Sequence, residues 1–254
     1  MNNESMINTL LERIQKETGI VLKRDTDREK IQRFIENGGE IPKDFEPLSS
    51  ALINLITVNE TYFERESYHF DRLINEILPN IETASPILPI RVLTAPCSSG
   101  EESYTIALRI LAMGKKISRP IEIVGIDISE EMIYKANRGC YSERSVHALS
   151  QEVLEHYFFQ TEEGYRLYPI EEISIHFITG NLFDDKLWED LGDFDVIFSR
   201  NMMIYFDADK NKELLLNFKK HLKGYLILGH ADDHLNAKKI FTPLRGEGGN
   251  IYTL

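Results

Sequence analysis

Apolar residues recur at Ile7, Leu10, Leu11 and Ile14, the spacing of a helix with one buried face. A second helix is predicted over about Asp27–Asn37, ended by Gly38 and Gly39, with Pro42 forcing a break. A third follows from Leu48, Leu52, Leu55 and Ile56, and a fourth spans Tyr62–Leu78, closed by Pro79. Residues 1–82 therefore form a small N-terminal helical domain, joined by a two-proline linker at 83–89. The grammar then changes. Short β-branched runs at Ile90–Ala95, Ile121–Ile126, Phe194–Phe198 and Tyr225–Leu228 alternate with helical patterns at Glu102–Met113, Ser129–Asn137 and Asp209–Leu222. Such alternation predicts an α/β class domain over 90–254, a doubly wound, mostly parallel sheet with helices on both faces. Tyr165–Tyr168 and Ile173–Ile178 alternate apolar and polar residues, which predicts a small antiparallel β-subdomain inserted at about 157–178.

Composition narrows the function classes. Hydrophobic residues make up 42% of the 254 residues, enough for a sizeable core. No apolar run approaches the roughly 18 residues that a membrane helix needs. The first residues have neither the basic start nor the apolar centre of a signal peptide, so a cytoplasmic location is expected. The two cysteines, Cys97 and Cys140, form no Cys-x-x-Cys pair and the seven histidines are scattered, so no metal is expected. A net charge of −12 argues against nucleic acid as the main partner.

The loop Ala95-Pro96-Cys97-Ser98-Ser99-Gly100-Glu101-Glu102 leaves the first strand, where doubly wound folds bind ligands. A dinucleotide site would need G-x-G-x-x-G, and only Gly100 is present. Two glutamates at the helix start repel phosphate. They suit a cationic ligand without a diphosphate, such as S-adenosylmethionine with its ammonium and sulfonium; they equally suit a helix dipole with no ligand at all. Asp127 ends the second strand, where an acid accepts hydrogen bonds from both ribose hydroxyls of an adenosine ligand. Its other role would be to cap the next helix, for which Ser129 is better placed.

Three blocks carry a family resemblance. Val58-Asn59-Glu60-Thr61-Tyr62-Phe63-Glu64-Arg65-Glu66, Ala95 to Tyr104, and Ser199-Arg200-Asn201-Met202-Met203-Ile204-Tyr205-Phe206 occur in order. They resemble motifs of the chemotaxis-receptor glutamate methyltransferases, the CheR type, with Ser99 and Ser103 as departures. Gly229-His230-Ala231-Asp232 is similar to a fourth block more loosely. The resemblance covers about residue 55 to 254 and implies a Rossmann-like, S-adenosylmethionine-dependent methyltransferase that releases S-adenosylhomocysteine. It implies that Asn59, Thr61 and Arg65 reach the cofactor from the helical domain, and that Glu102 faces its amino group. Asp127 would hold the ribose, Asn181 and Leu182 would border the adenine, and Arg200 and Asn201 would line the floor. Tyr205 would face the reactive methyl.

The implied acceptor is a glutamate of a chemoreceptor's cytoplasmic domain. A glutamate has an unperturbed pKa of about 4.3, so it is ionised at neutral pH and needs no general base. Arg65 would orient it through a charge-assisted hydrogen bond. Family members present a basic helix to the acidic substrate. The matching residues Lys23, Arg24, Arg28, Lys30 and Arg33 are diluted by Asp25, Asp27 and Glu29. The inserted strands correspond to a subdomain with which some members grip a receptor tail. The short Thr161-Glu162-Glu163-Gly164 segment favours a tether-independent enzyme. The alternatives are a non-catalytic S-adenosylmethionine-binding regulator and a methyltransferase of another protein or a small carboxylate. A nicotinamide dehydrogenase is disfavoured by the missing glycines.

Overall fold

A computed structural model describes residues 3–22, 25–42, 46–84, 88–114, 117–246 and 249–254. The helical module begins with α1 (Asn3–Thr18), α2 (Asp25–Glu36) and α3 (Ser50–Ile56). Ile7, Leu10 and Ile14 meet Ile31, Leu52, Ile53 and Ile56 in a core of their own, and Ile128 from the larger domain packs against it. Gly38, with φ 82°, ends α2: its N–H and that of Gly39 bond back to Ile35 O and Phe34 O. Lys23 and Arg24 of the basic stretch lie outside the described residues.

The fourth predicted helix is corrected at both ends. Phe63–Ser67 forms turns instead, because Glu64 and Glu66 adopt left-handed backbone, φ 63° and 53°, which no helix continues. Helix then runs through α4 (Tyr68–Arg72), a π-turn (Leu73–Ile77) and α5 (Leu78–Ala84), straight past Pro79. The wider π-turn relieves the clash that a proline ring makes with the carbonyl four residues back.

The rest of the chain runs β1 (Ile90–Thr94), α6 (Glu101–Ala112), β2 (Ile121–Asp127), α7 (Glu130–Arg138), β3 (Cys140–Tyr141), α8 (Glu143–Val146), α9 (Gln151–Tyr157), β4 (Phe158–Thr161), β5 (Gly164–Leu167) and β6 (Ser174–Thr179). It continues through α10 (Asp185–Leu191), β7 (Phe194–Ser199), α11 (Ala208–His221), β8 (Leu222–Leu228), α12 (His234–Ile240), β9 (Thr242–Pro243) and β10 (Ile251–Thr253). The main sheet has seven strands in the order β6-β2-β1-β7-β8-β10-β9. Its first five strands are parallel, and β10 is antiparallel to β8.

Alternation along each strand divides the core. Leu93, Ile126, Ile197 and Leu226 face α10, α11 and α12, where Trp188, Leu214, Leu215 and Phe218 meet them. Val92, Ile123, Val196 and Ile227 face the other way, onto Phe70, Leu73 and Ile77 and onto Ile106 and Ile110 of α6.

The antiparallel insert is real but differently bounded. Its three strands, ordered β3-β5-β4, span residues 140–167 and share a core with Phe63 and Leu108. Ile173–Ile178 belongs instead to β6, which pairs parallel with β2 as an edge of the main sheet. An edge strand with one face in solvent alternates just as a hairpin strand does, so periodicity alone could not separate them.

Candidate active site

The chain reverses its direction of sheet growth between β1 and β7. The loops leaving the carboxyl ends of β1, β2, β6 and β7 open a crevice there, as expected for this topology. The helical module closes it from above. Val21 N–H donates to Tyr205 O at 2.9 Å, and the Asn181 amide reaches Glu17 O at the end of α1. The result is a cleft of two joined compartments, of about 670 and 730 Å³, which share Val58, Asn59, Pro96, Asp127, Asn201 and Tyr205.

The first compartment is a mostly apolar slot between Ile20 and Ile56 of the module and Ile126, Leu182, Phe183 and Phe206 of the sheet domain. Asp127 stands at its mouth, 4% exposed. Its Oδ2 accepts from Ser98 N–H and its Oδ1 from Ser129 N–H, both at 2.9 Å. Burial raises its pKa, against the backbone hydrogen bonds. Ser129, as its sequence position suggests, caps α7 by accepting from Met132 N–H. Asn181 lines the same slot, but its Nδ2 is bonded to Glu17 O and its Oδ1 accepts from Phe183 N–H at 3.0 Å. One N–H and one lone pair remain for a ligand.

The second compartment is polar. The two acids that open α6 diverge here. Glu101 is 2% exposed, lies outside the lining of both compartments, and accepts from Ser99 Oγ at 2.8 Å. Glu102 lines the compartment and holds Arg200 Nη1 at 2.6 Å. Burial raises the pKa of both, and Arg200 opposes the rise at Glu102. Arg200 also donates Nη2 to Arg65 O, lies 3.4 Å from Glu66 Oε2, and covers the Phe70 ring at 5.3 Å. Arg65 is half-buried on the opposite wall, where its Nη1 donates to Glu60 O at 2.6 Å. No carboxylate among the described residues lies within ion-pair distance of it. Thr61 completes that wall.

All the residues given a cofactor-binding or catalytic role from sequence thus line one compartment or the other. Two that matter were not singled out. Asp232, 6% exposed, accepts four backbone N–H bonds: Asn201 and Gly229 on Oδ2 at 2.7 and 2.8 Å, Met202 and Met203 on Oδ1 at 3.1 and 2.9 Å. They hold the turn that carries Asn201, itself left-handed at φ 60°, and a 3₁₀ turn (Met203–Tyr205). Glu66 is the other. Burial alone would raise its pKa, but the hydrogen bond to His230, the charge of Arg200 and contributions from His69 and Asn201 bring it down to about 2. The loosely matching Gly229–Asp232 block and the last residue of the Asn59–Glu66 block were the signals for these two.

The donor set selects the ligand. An apolar slot with an acid at its mouth accepts a nucleoside. The adjoining compartment offers the carboxylate of Glu102, which can accept from an ammonium, beside the guanidiniums of Arg200 and Arg65, which can meet an anion. Fold and site together define a doubly wound domain with a ligand cleft at its topological switch point. Residues 59–248 match the family described as "CheR methyltransferase, SAM binding domain", and the chain belongs to that family. Similar proteins include "Chemotaxis protein methyltransferase 2" of Vibrio cholerae, 38% identical over 82% of this chain and 71% of that protein. "Chemotaxis protein methyltransferase" of Campylobacter jejuni is 32% identical over 95% of this chain and 94% of that protein. "Chemotaxis protein methyltransferase 1" of Pseudomonas aeruginosa is 29% identical over 99% and 90%. The cofactor is S-adenosylmethionine.

Proposed function

We propose that this enzyme esterifies glutamate side chains in the cytoplasmic region of a chemoreceptor. One observation carries the reading: the polar compartment presents the cation Arg65, and among the described residues that line it there is no histidine or lysine. Its one thiol, Cys97, is pushed far up by burial and by Asp127, so it is neither base nor nucleophile. A glutamate enters already ionised and so needs no base from this lining. The relatives' names, chemotaxis methyltransferases, support a receptor as the protein that supplies it.

Bound S-adenosylmethionine supplies an electrophilic methyl on a sulfonium. Transfer to a carboxylate oxygen would form a C–O bond at the cost of the C–S bond, leaving the electron pair on sulfur, with no proton to move. Asp127 would accept hydrogen bonds from the ribose hydroxyls, Leu182 and Asn181 would border the base, and Glu102 would accept from the ammonium. Asn59, Thr61, Arg200 and Asn201 form the surrounding walls. Arg65 holds the acceptor carboxylate, and Tyr205 shapes the space around the methyl. Because an anion and a cation become neutral products, a water-poor, oriented cleft favours the transition state over the reactants.

Receptor choice draws on the module and not on a receptor tail. The β4–β5 turn, at Glu162–Glu163, is too short to add a docking loop, which supports tether-independent recognition. The test is transfer of labelled methyl from the cofactor to a receptor cytoplasmic fragment. A base-labile label on glutamate supports the reading; label stable to base, or label only on small carboxylates, sinks it.

A further inference from the structure

Two carboxylates share one guanidinium in the polar compartment. Arg200 lies 2.6 Å from Glu102 and 3.4 Å from Glu66, and the three side chains are 3, 13 and 14% exposed. A guanidinium that neutralised Glu102 alone would weaken any contact between Glu102 and a cofactor ammonium. A second anion on the guanidinium removes that competition.

We propose that Glu66 is a positioning residue for cofactor binding: it shares the Arg200 guanidinium with Glu102, so that the cluster of two carboxylates and one guanidinium keeps a net negative charge for the ammonium of S-adenosylmethionine. The proposal rests on the reading of Glu102 as the ammonium's partner. Its geometry is specific. Glu66 sits at φ 53°, a backbone conformation that tertiary contacts must hold in place. One carboxylate oxygen bonds His230 Nδ1 at 2.8 Å, and the other lies 3.5 Å from the buried ring of His69. Burial raises the pKa of Glu102, Arg200 and then Arg65 oppose the rise, and Glu66, a like charge, adds to it, so the two carboxylates and the guanidinium act as one coupled cluster. His69 is held neutral by burial and by Arg200, so it does not replace Arg200 as the counter-ion of Glu66.

The test uses two ligands and the full chain. S-Adenosylhomocysteine carries the ammonium; 5′-methylthioadenosine has the same nucleoside and sulfur without the amino acid. Calorimetry should show Glu66→Gln weakening S-adenosylhomocysteine by about tenfold, the scale of one charge-assisted hydrogen bond, with methylthioadenosine unchanged. The double variant Glu66→Gln/Arg200→Gln should recover the wild-type preference between the two ligands, because the guanidinium paired with Glu102 is gone. Should Glu66→Gln fail to fold, the double variant decides alone. Equal weakening of both ligands, no weakening of either, or a double variant that stays deficient overturns the proposal. Glu102→Gln separates the layers. If it abolishes the preference while Glu66→Gln does not, only Glu66 loses its role; if it leaves the preference intact, the reading of Glu102 falls.

Discussion

The carboxylate of Asp232 accepts the backbone N–H of Asn201 at 2.7 Å, across a separation of 31 residues in sequence. That bond and its three companions fix the floor of the cleft from beneath. Gly229 is required beside them: a Cβ there would stand 2.8 Å from Asn201 N and 2.9 Å from Asp232 Oδ2. The loop after β8 therefore sets the loop after β7, and through it Tyr205.

Asp232→Ala should lower stability by about 2–3 kcal/mol, since buried amides are left without an acceptor. Urea denaturation measures this. Affinity for S-adenosylhomocysteine should fall as well, because Asn201 and Tyr205 lose their support. An unchanged urea midpoint would mean that the four amides find other acceptors.

Arg65→Ala should reduce turnover by about 100-fold or more, as removal of a charge-stabilising donor does elsewhere. Melting temperature should barely move, because the Arg65 side chain makes its hydrogen bond to the Glu60 carbonyl near the surface. Arg65→Lys should restore part of the rate, since it keeps the charge without the planar fork. Steady-state kinetics with a receptor fragment distinguishes the three proteins.

Stability should fall in acid, with a traceable origin. Burial, then Arg200, lowers the pKa of His69 from 6.5 to about 3. The unfolded chain binds that proton first, so the contribution is complete above pH 6.5 and disappears as pH falls through about 3. Glu66 adds a second window, complete above 4.5 and lost toward about 2. The burial-raised Asp127 and Glu102 act in the opposite sense. His69→Phe should therefore flatten the melting-temperature profile relative to the wild type between pH 6.5 and 4.5. Parallel profiles would show that His69 titrates normally.

Asn181→Ala removes two bonds, to Glu17 O and from Phe183 N–H. Amide hydrogen exchange in α1 should accelerate while that in β1 and β7 stays slow, because the module loses a tie to the sheet domain. Uniform protection would place the anchoring elsewhere, for instance in the Val21–Tyr205 backbone bond.

The mostly parallel sheet and the ring of cleft residues were legible because strand alternation and the three blocks point the same way. What escaped was local geometry. Nothing in the pair Glu101-Glu102 says which acid faces the cleft, since adjacent helical positions differ by about 100° and both suit a helix start. Structure buries Glu101 against Ser99 and gives Glu102 to Arg200. Pro79 suggested a stop because periodicity carries no sign of a π-turn. Asp232 was hidden because its partners are backbone amides, which leave no trace in residue identity.

Thr18, Ile20 and Ile56 lie upstream of the stretch that matches the family, which starts at residue 59, yet they wall the nucleoside slot. A fragment cut back to its strands would be a socket without a roof. The α/β half alone would keep the chemistry's address but lose its shelter from water, because the wall that excludes solvent is built by the other half.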